Sequence, residues 1–185
     1  MSVVVLQGSA RAGGNTEELV ELVLQDIPHT HVILRDHEIQ PIVDQRHAEG
    51  GFQTVEDDYD ALIQQVLEHD ILIFATPVYW YGISGTLKTF VDRWSQSLRS
   101  QEYDFKSLIS GKKAYVVVVG GDDPRIKALP LLQQLKYTFD FVGLSFEGYV
   151  IGKASKPGDI ASDERALHDA KGLNAQLKAV LAVKS

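Results

Sequence analysis

Three runs of aliphatic and β-branched residues, "SVVVLQ" (2–7), "ILIFA" (71–75) and "KAYVVVVGG" (113–121), limit what this chain can become. None alternates apolar with polar residues, so each predicts a strand buried on both faces, as in parallel sheets. "HVILRD" (31–36) and "SFEGYVIGKA" (145–154) read as two further strands. Between these runs, apolar residues recur at helical spacing. Leu19, Val20, Leu22, Val23 and Ile27 make one stripe, and Tyr59, Leu62, Ile63, Val66 and Leu67 a second. Leu87, Phe90, Val91, Trp94 and Leu98 make a third. Asp123 before Pro124 predicts an N-cap opening a helix over Ile126, Leu129, Leu132, Leu135 and Phe139. Ser162, followed by Asp163 and Glu164, predicts the cap of a last helix carrying Leu167, Ala170, Leu173, Leu177 and Val180.

Five strands alternating with five helices predict an α/β fold: a doubly wound, five-stranded parallel sheet of flavodoxin-like order 2-1-3-4-5. With 185 residues and no linker or repeat, the chain predicts one domain, 1–185. A net charge of -7 without a basic stripe argues against a nucleic-acid partner. The absence of cysteine excludes disulfides, thiolate metal sites and cysteine nucleophiles. No leader or membrane span is legible, and the expectation is a cytoplasmic protein.

Doubly wound sheets bind ligands beyond the carboxyl ends of their strands, so the loops after strands one, three and four matter most. The first, "GSARAGGNTEE" (8–18), opens a helix whose first N–H groups lack intrahelical partners and attract an anion. Ser9, Asn15 and Thr16 add hydroxyl and amide donors, Arg11 adds charge, and Gly8, Gly13 and Gly14 let the backbone approach. Asn15 and Glu18 also have capping-box spacing, which an ordinary well-capped helix would share. The loop is not G-x-G-x-x-G, and Gly14 and Asn15 stand where a P-loop needs Lys and a hydroxyl residue. A terminal phosphate monoester fits it best. The ends of strands one and three carry no carboxylates for a phosphorelay receiver, and no G-x-S-x-G elbow is present.

After the third strand comes "ATPVYWYGISGTLKTFVDRW" (75–94), with three consecutive rings, Tyr79, Trp80 and Tyr81. Such rings also suit core or subunit-interface packing. Their position between the first glycine loop and "VGGDDP" (119–124) favours a planar ligand with a phosphate tail, and FMN has that shape.

"GSARAGGNTEELV", the 75–94 segment and the glycine pair after strand four resemble the NAD(P)H-dependent FMN reductase and quinone oxidoreductase family. That group is related to the iron–sulfur flavoproteins and the tryptophan-repressor-binding quinone reductases. The resemblance implies that Ser9, Arg11, Asn15 and Thr16 hold the FMN phosphate. It implies that Pro77, Val78, Tyr79, Trp80, Tyr81 and Gly82 border the isoalloxazine, with Gly120 and Gly121 opposite. The segment "EIQPIVDQRHAEGGFQ" (38–53) lacks the cysteine cluster of the iron–sulfur relatives, and His37 and His47 read as loop residues, so no metal is expected.

The expected function is an FMN-dependent oxidoreductase, in which NADPH or NADH passes hydride to flavin N5 and the reduced flavin serves a quinone-like or other small acceptor. Chemistry on the flavin requires no catalytic side chain. Lys88, Asp92 and Arg93 read as helix-packing or subunit contacts. The alternative is a flavodoxin-type electron carrier or regulatory flavin-binding module without nicotinamide turnover. The related reductases are usually oligomers, which implies a homodimer or homotetramer.

Overall fold

A computed structural model describes residues 1–183. The apolar runs form β1 (Val3–Gln7), β2 (Thr30–Ile33), β3 (Ile71–Pro77), β4 (Lys113–Gly120) and β5 (Ser145–Lys153). All pair in parallel, in the order β2-β1-β3-β4-β5. Val5, Ile73 and Tyr115 stand abreast in the three central strands. The expected flavodoxin-like order is therefore the observed one.

Side chains alternate between the faces of a strand, and helices cover both faces. Val3, Val5, Ile71, Ile73 and Val117 pack beneath α1 (Asn15–Val23). The last helix, α8 (Glu164–Ala182), covers the same face through Ala170, Leu173 and Leu177. Val4, Leu6, Leu72, Phe74, Val116 and Val118 face the opposite core. Residues of α2 (Tyr59–Leu67), α3 (Gly85–Asp92), α4 (Trp94–Ser97), α5 (Phe105–Ile109) and α7 (Leu129–Val142) complete that core. Burial on both sides explains why the strand sequences do not alternate. No helix among the described residues is long and apolar enough to cross a membrane.

Several helix expectations need correction. The helix from Pro124 divides into α6 (Pro124–Lys127) and α7, with Pro130 in the first turn of the second segment. Proline has no N–H to continue the ladder, so it forces a fresh start. Asp123 does precede the helix, but in a left-handed conformation (φ 42°) and without a side-chain capping bond. The stripe from Leu87 likewise breaks at Arg93 into α3 and α4. Residues 105–109 form a helix the periodicity did not predict, capped by Asp104, whose carboxylate accepts from the Ser107 N–H at 3.0 Å. Asp163, not Ser162, caps α8, accepting from the Ala166 N–H at 3.2 Å.

Arg93 is a packing contact, as expected. Its side chain is buried and pairs with the buried Asp57 carboxylate at 2.5 Å. It also donates to the Gln40 carbonyl (3.1 Å) and the Gln96 side chain (2.9 Å), and lies 4.5 Å from the Tyr59 ring centroid. Asp57 accepts in addition from the N–H groups of Gln40 (2.9 Å) and Tyr59 (3.1 Å). One guanidinium thus staples the polar segment after β2 to the helices beneath it. Lys88 and Asp92 pair with each other one turn apart on α3.

Candidate functional site: a cleft at the ends of the central strands

The chain leaves β1 through Gly8, whose N–H donates to the Ala75 carbonyl at 2.8 Å. A Cβ there would come within 2.8 Å of both Leu87 Cβ and Ser84 Oγ, so this glycine serves close packing against α3. Gly13 lies in the left-handed region at φ 59° with nothing near where a Cβ would stand, and Gly14 is the N-cap of α1. The buried Ser9 hydroxyl donates to the Arg11 carbonyl (3.0 Å) and accepts from the Arg11 N–H (3.2 Å), which sets the turn. Asn15 and Thr16 then present the first N–H groups of a helix, which have no intrahelical acceptor.

The expected capping pair of Asn15 and Glu18 is not formed. Glu17 folds back instead, accepting from the Gly13 N–H at 2.6 Å. The Asn15 carboxamide turns to the segment after β5, donating to the Lys156 carbonyl (2.8 Å) and accepting from the Ile160 N–H (3.2 Å). Its side chain therefore organises the neighbouring loop, and its backbone N–H remains as the group free for a ligand. The Arg11 guanidinium makes no hydrogen bond or ion pair among the described residues and stands exposed at the rim.

Across from this loop, β3 ends at Pro77 and the Val78 N–H donates to the Val119 carbonyl of β4 at 2.8 Å. Tyr79 and Gly82 exchange backbone hydrogen bonds of 3.1 and 3.0 Å, closing a two-residue hairpin. Its two central residues, Trp80 (φ 48°) and Tyr81 (φ 64°), are both left-handed. Such turns favour Asn and Gly; each bulky residue in this region costs on the order of 1–3 kcal/mol. The Trp80 side chain is 96% exposed, and those of Tyr79 and Tyr81 are about half exposed.

Tyr81 ties this hairpin to the loop after β4. Its hydroxyl donates to the Asp122 carboxylate at 3.0 Å, which also accepts from Lys127 Nζ at 2.6 Å. The hydrogen bonds from Lys127 and then Tyr81 hold the Asp122 carboxyl below its ordinary pKa. Gly120 is fixed by packing, because a Cβ there would lie 3.0 Å from Val78 Cγ2 and 3.2 Å from the Pro124 ring. Gly121 sits against the Ser155 hydroxyl, 2.3 Å from where a Cβ would stand.

A cleft of about 260 Å³ unites Ser9, Arg11, Asn15 and Thr16 with Pro77, Val78, Tyr79, Gly120 and Gly121. Trp80, Tyr81 and Gly82 do not line it; they form the hairpin tip at its margin. Gly14 and Val119 also line it, as do Ala154 and Ser155 of the segment after β5. The last two escaped the sequence reading because only the β4–β5 pairing brings the end of β5 beside Gly121. Wider clefts of about 550, 430 and 400 Å³ lie beside residues 98–106, under residues 50–54 and between the α3–α4 helices and α7, and one of about 280 Å³ runs from Gly121 to Asp163. The three widest do not touch the glycine loops and the smallest of these four shares only Gly121, Ala154 and Ser155 with the first cleft, so the donor set rather than size makes that first cleft the candidate site.

That donor set fits FMN. Helix N–H groups, the Ser9 and Thr16 hydroxyls and an uncommitted guanidinium suit a phosphate, while Val78 and Tyr79 offer an apolar edge beyond it. Among the described residues no group of three or more His, Asp or Glu side chains could hold a metal.

Comparison with known proteins agrees with this chemistry. Residues 1–154 match the family described as NADPH-dependent FMN reductase. YwqN of Bacillus subtilis, named as an NAD(P)H-dependent FMN-containing oxidoreductase, is 53% identical across 94% of this chain and 96% of its own. An FMN-dependent NADH:quinone oxidoreductase of Thiobacillus denitrificans is 28% identical across 91% of this chain and 92% of its own. The solved structure of the Trp repressor binding protein from Bacillus subtilis superimposes with a TM-score of 0.79 at 45% identity, covering 93% of this chain and 97% of that one. The chain belongs to the NADPH-dependent FMN reductase family.

Proposed function

We propose that this protein is an NAD(P)H-dependent oxidoreductase that holds FMN in the cleft between the Ser9–Thr16 loop and the Tyr79–Gly82 hairpin, and reduces a quinone-like or other small acceptor. The observation that carries this reading is an uncommitted Arg11 beside a helix N-terminus, facing a strained aromatic hairpin across one cleft. Arg11 and Thr16, with the Ser9 hydroxyl and the N–H groups of Asn15 and Thr16, would hold the phosphate. Val78 and Tyr79 would border the ring system, with the Gly120–Gly121 backbone opposite. Trp80, Tyr81 and Gly82 would close over its outer edge.

Bound FMN would supply the redox chemistry, hydride transfer from a nicotinamide nucleotide and reduction of the acceptor. The protein binds, orients and excludes water. Among the described residues Arg11 and Tyr79 are the only ionisable side chains lining the cleft, and chemistry on the flavin asks no proton transfer of either. The whole chain would serve as one flavin-binding domain, in the cytoplasm where reduced nicotinamide nucleotides are made.

Steady-state turnover tests this reading. FMN-loaded protein should oxidise NADPH or NADH in the presence of a benzoquinone, with the parallel reciprocal plots of ping-pong kinetics. Tight FMN binding without oxidation of either nucleotide would instead identify an electron carrier.

Assembly follows from the same surface. Trp80 is nearly bare, and Ile126 and Leu129 are 65% and 45% exposed on the helices after β4. We expect a homodimer or homotetramer that shields such surface. Light scattering at micromolar concentration should report it, and a fully active monomer would end the idea.

A further inference from the structure

We infer that Arg35 is a positioning residue of the phosphate loop, and that it works by cancelling the charge of Glu17. This rests on the proposed placement of the FMN phosphate at Ser9–Thr16. Arg35 was not singled out by any motif. It sits in the short helical turn Leu34–Asp36 that ends β2. Because β2 lies beside β1, that turn falls next to the loop leaving β1.

Its geometry is specific. Arg35 Nη1 donates to the Ser9 carbonyl at 3.3 Å and to the Arg11 carbonyl at 3.4 Å. The same nitrogen forms a short contact with the Glu17 carboxylate. Arg35 and Glu17 are 19% and 14% exposed, whereas Asp36, 3.7 Å from Arg35 Nε, is 61% exposed and largely solvated. One guanidinium thus holds both peptide carbonyls of the loop and the carboxylate in the first turn of α1.

Glu17 poses an electrostatic problem for an anion site. Its carboxylate is needed to accept the Gly13 N–H, which holds the left-handed glycine turn. That same carboxylate places a negative charge in the first helical turn, where the phosphate should bind. Largely buried charges this close interact far more strongly than exposed ones. Arg35 resolves the conflict: Glu17 keeps its structural hydrogen bond while its charge is neutralised. The two carbonyl contacts hold the oxygens of Ser9 and Arg11 toward Arg35, so those dipoles do not face the phosphate.

The test is a set of affinities for FMN and for riboflavin, which lacks the phosphate, read from flavin and tryptophan fluorescence. Arg35→Ala should weaken FMN by about 10- to 100-fold, the range for losing a charged partner, and riboflavin by less than about 3-fold. Glu17→Gln keeps an acceptor for the Gly13 N–H without the charge. Added to Arg35→Ala, it should restore most of the lost FMN affinity. A role in loop folding alone predicts otherwise: both flavins would weaken together and Glu17→Gln would rescue neither, which would overturn the inference. Should Arg35→Ala fail to fold, Arg35→Lys keeps the charge but not the guanidinium geometry. It should retain the preference for FMN over riboflavin while loosening both only slightly, and loss of that preference with the charge in place would overturn the inference. A parent protein that binds riboflavin as tightly as FMN would refute the phosphate-loop reading itself, a distinct result.

Discussion

Replacing Arg93 with alanine is expected to destabilise the protein by about 3–5 kcal/mol, the range for breaking a buried ion pair by removing one partner. Its partner Asp57 would stay buried with a charge answered only by the N–H groups of Gln40 and Tyr59. The Tyr59 ring and the Gln96 side chain would also lose their contacts with the guanidinium. Denaturant midpoints should show the loss directly. Arg93→Met combined with Asp57→Asn should recover a large part of it, because no charge then remains unpaired.

The same pair has a pH signature. Burial alone would raise the Asp57 pKa, but the Arg93 guanidinium and two backbone N–H groups outweigh it and hold the carboxyl below its ordinary value. A depressed folded-state pKa contributes stability that is present above the unfolded value, about 3.9, and lost as pH falls through the folded value. The advantage of the parent over Arg93→Ala should therefore be full near neutrality and shrink below about pH 4. Equal stability of the two proteins at neutral pH would show that the staple contributes nothing.

The second large effect falls on binding instead of folding. Trp80→Ala should weaken FMN by about 1–3 kcal/mol, by analogy with base–aromatic stacking. Stability should barely change, since a side chain 96% exposed has little packing to lose. Trp80→Gly should sharpen the contrast: glycine adopts the left-handed turn freely, so the unliganded protein should gain up to about 1 kcal/mol while FMN binding still falls. In a Trp94→Phe background the tryptophan emission belongs to Trp80 alone, and FMN should quench it strongly. A loss of stability with FMN affinity untouched would mean that the rings serve packing or assembly.

Much of this was legible in the residues themselves. Val3–Gln7, Ile71–Pro77 and Lys113–Gly120 are strands because unbroken β-branched and aliphatic runs need burial on both faces. The stripe of Tyr59, Leu62, Ile63, Val66 and Leu67 became α2 with each of these residues buried, because its period is helical. The glycine loops and the aromatic run lie at one crevice because alternating strands and helices place every strand-to-helix loop at the same end of the sheet.

What the sequence could not disclose depends on residues far apart in the chain. Asn15 looked like a cap because its local spacing to Glu18 was right, yet it bonds to Lys156 and Ile160, more than 140 residues away. Asp57 and Arg93, 36 apart, and Glu17 and Arg35, 18 apart, meet only once the sheet order has been set. Local patterns report what one segment gains by folding in a given way, through its own hydrogen bonds and its own apolar face. Which charge answers which carboxylate is decided by the distances between packed elements. A left-handed Trp80–Tyr81 turn, costly by itself, persists because the bonds to Gly82, Asp122 and β4 hold it from outside.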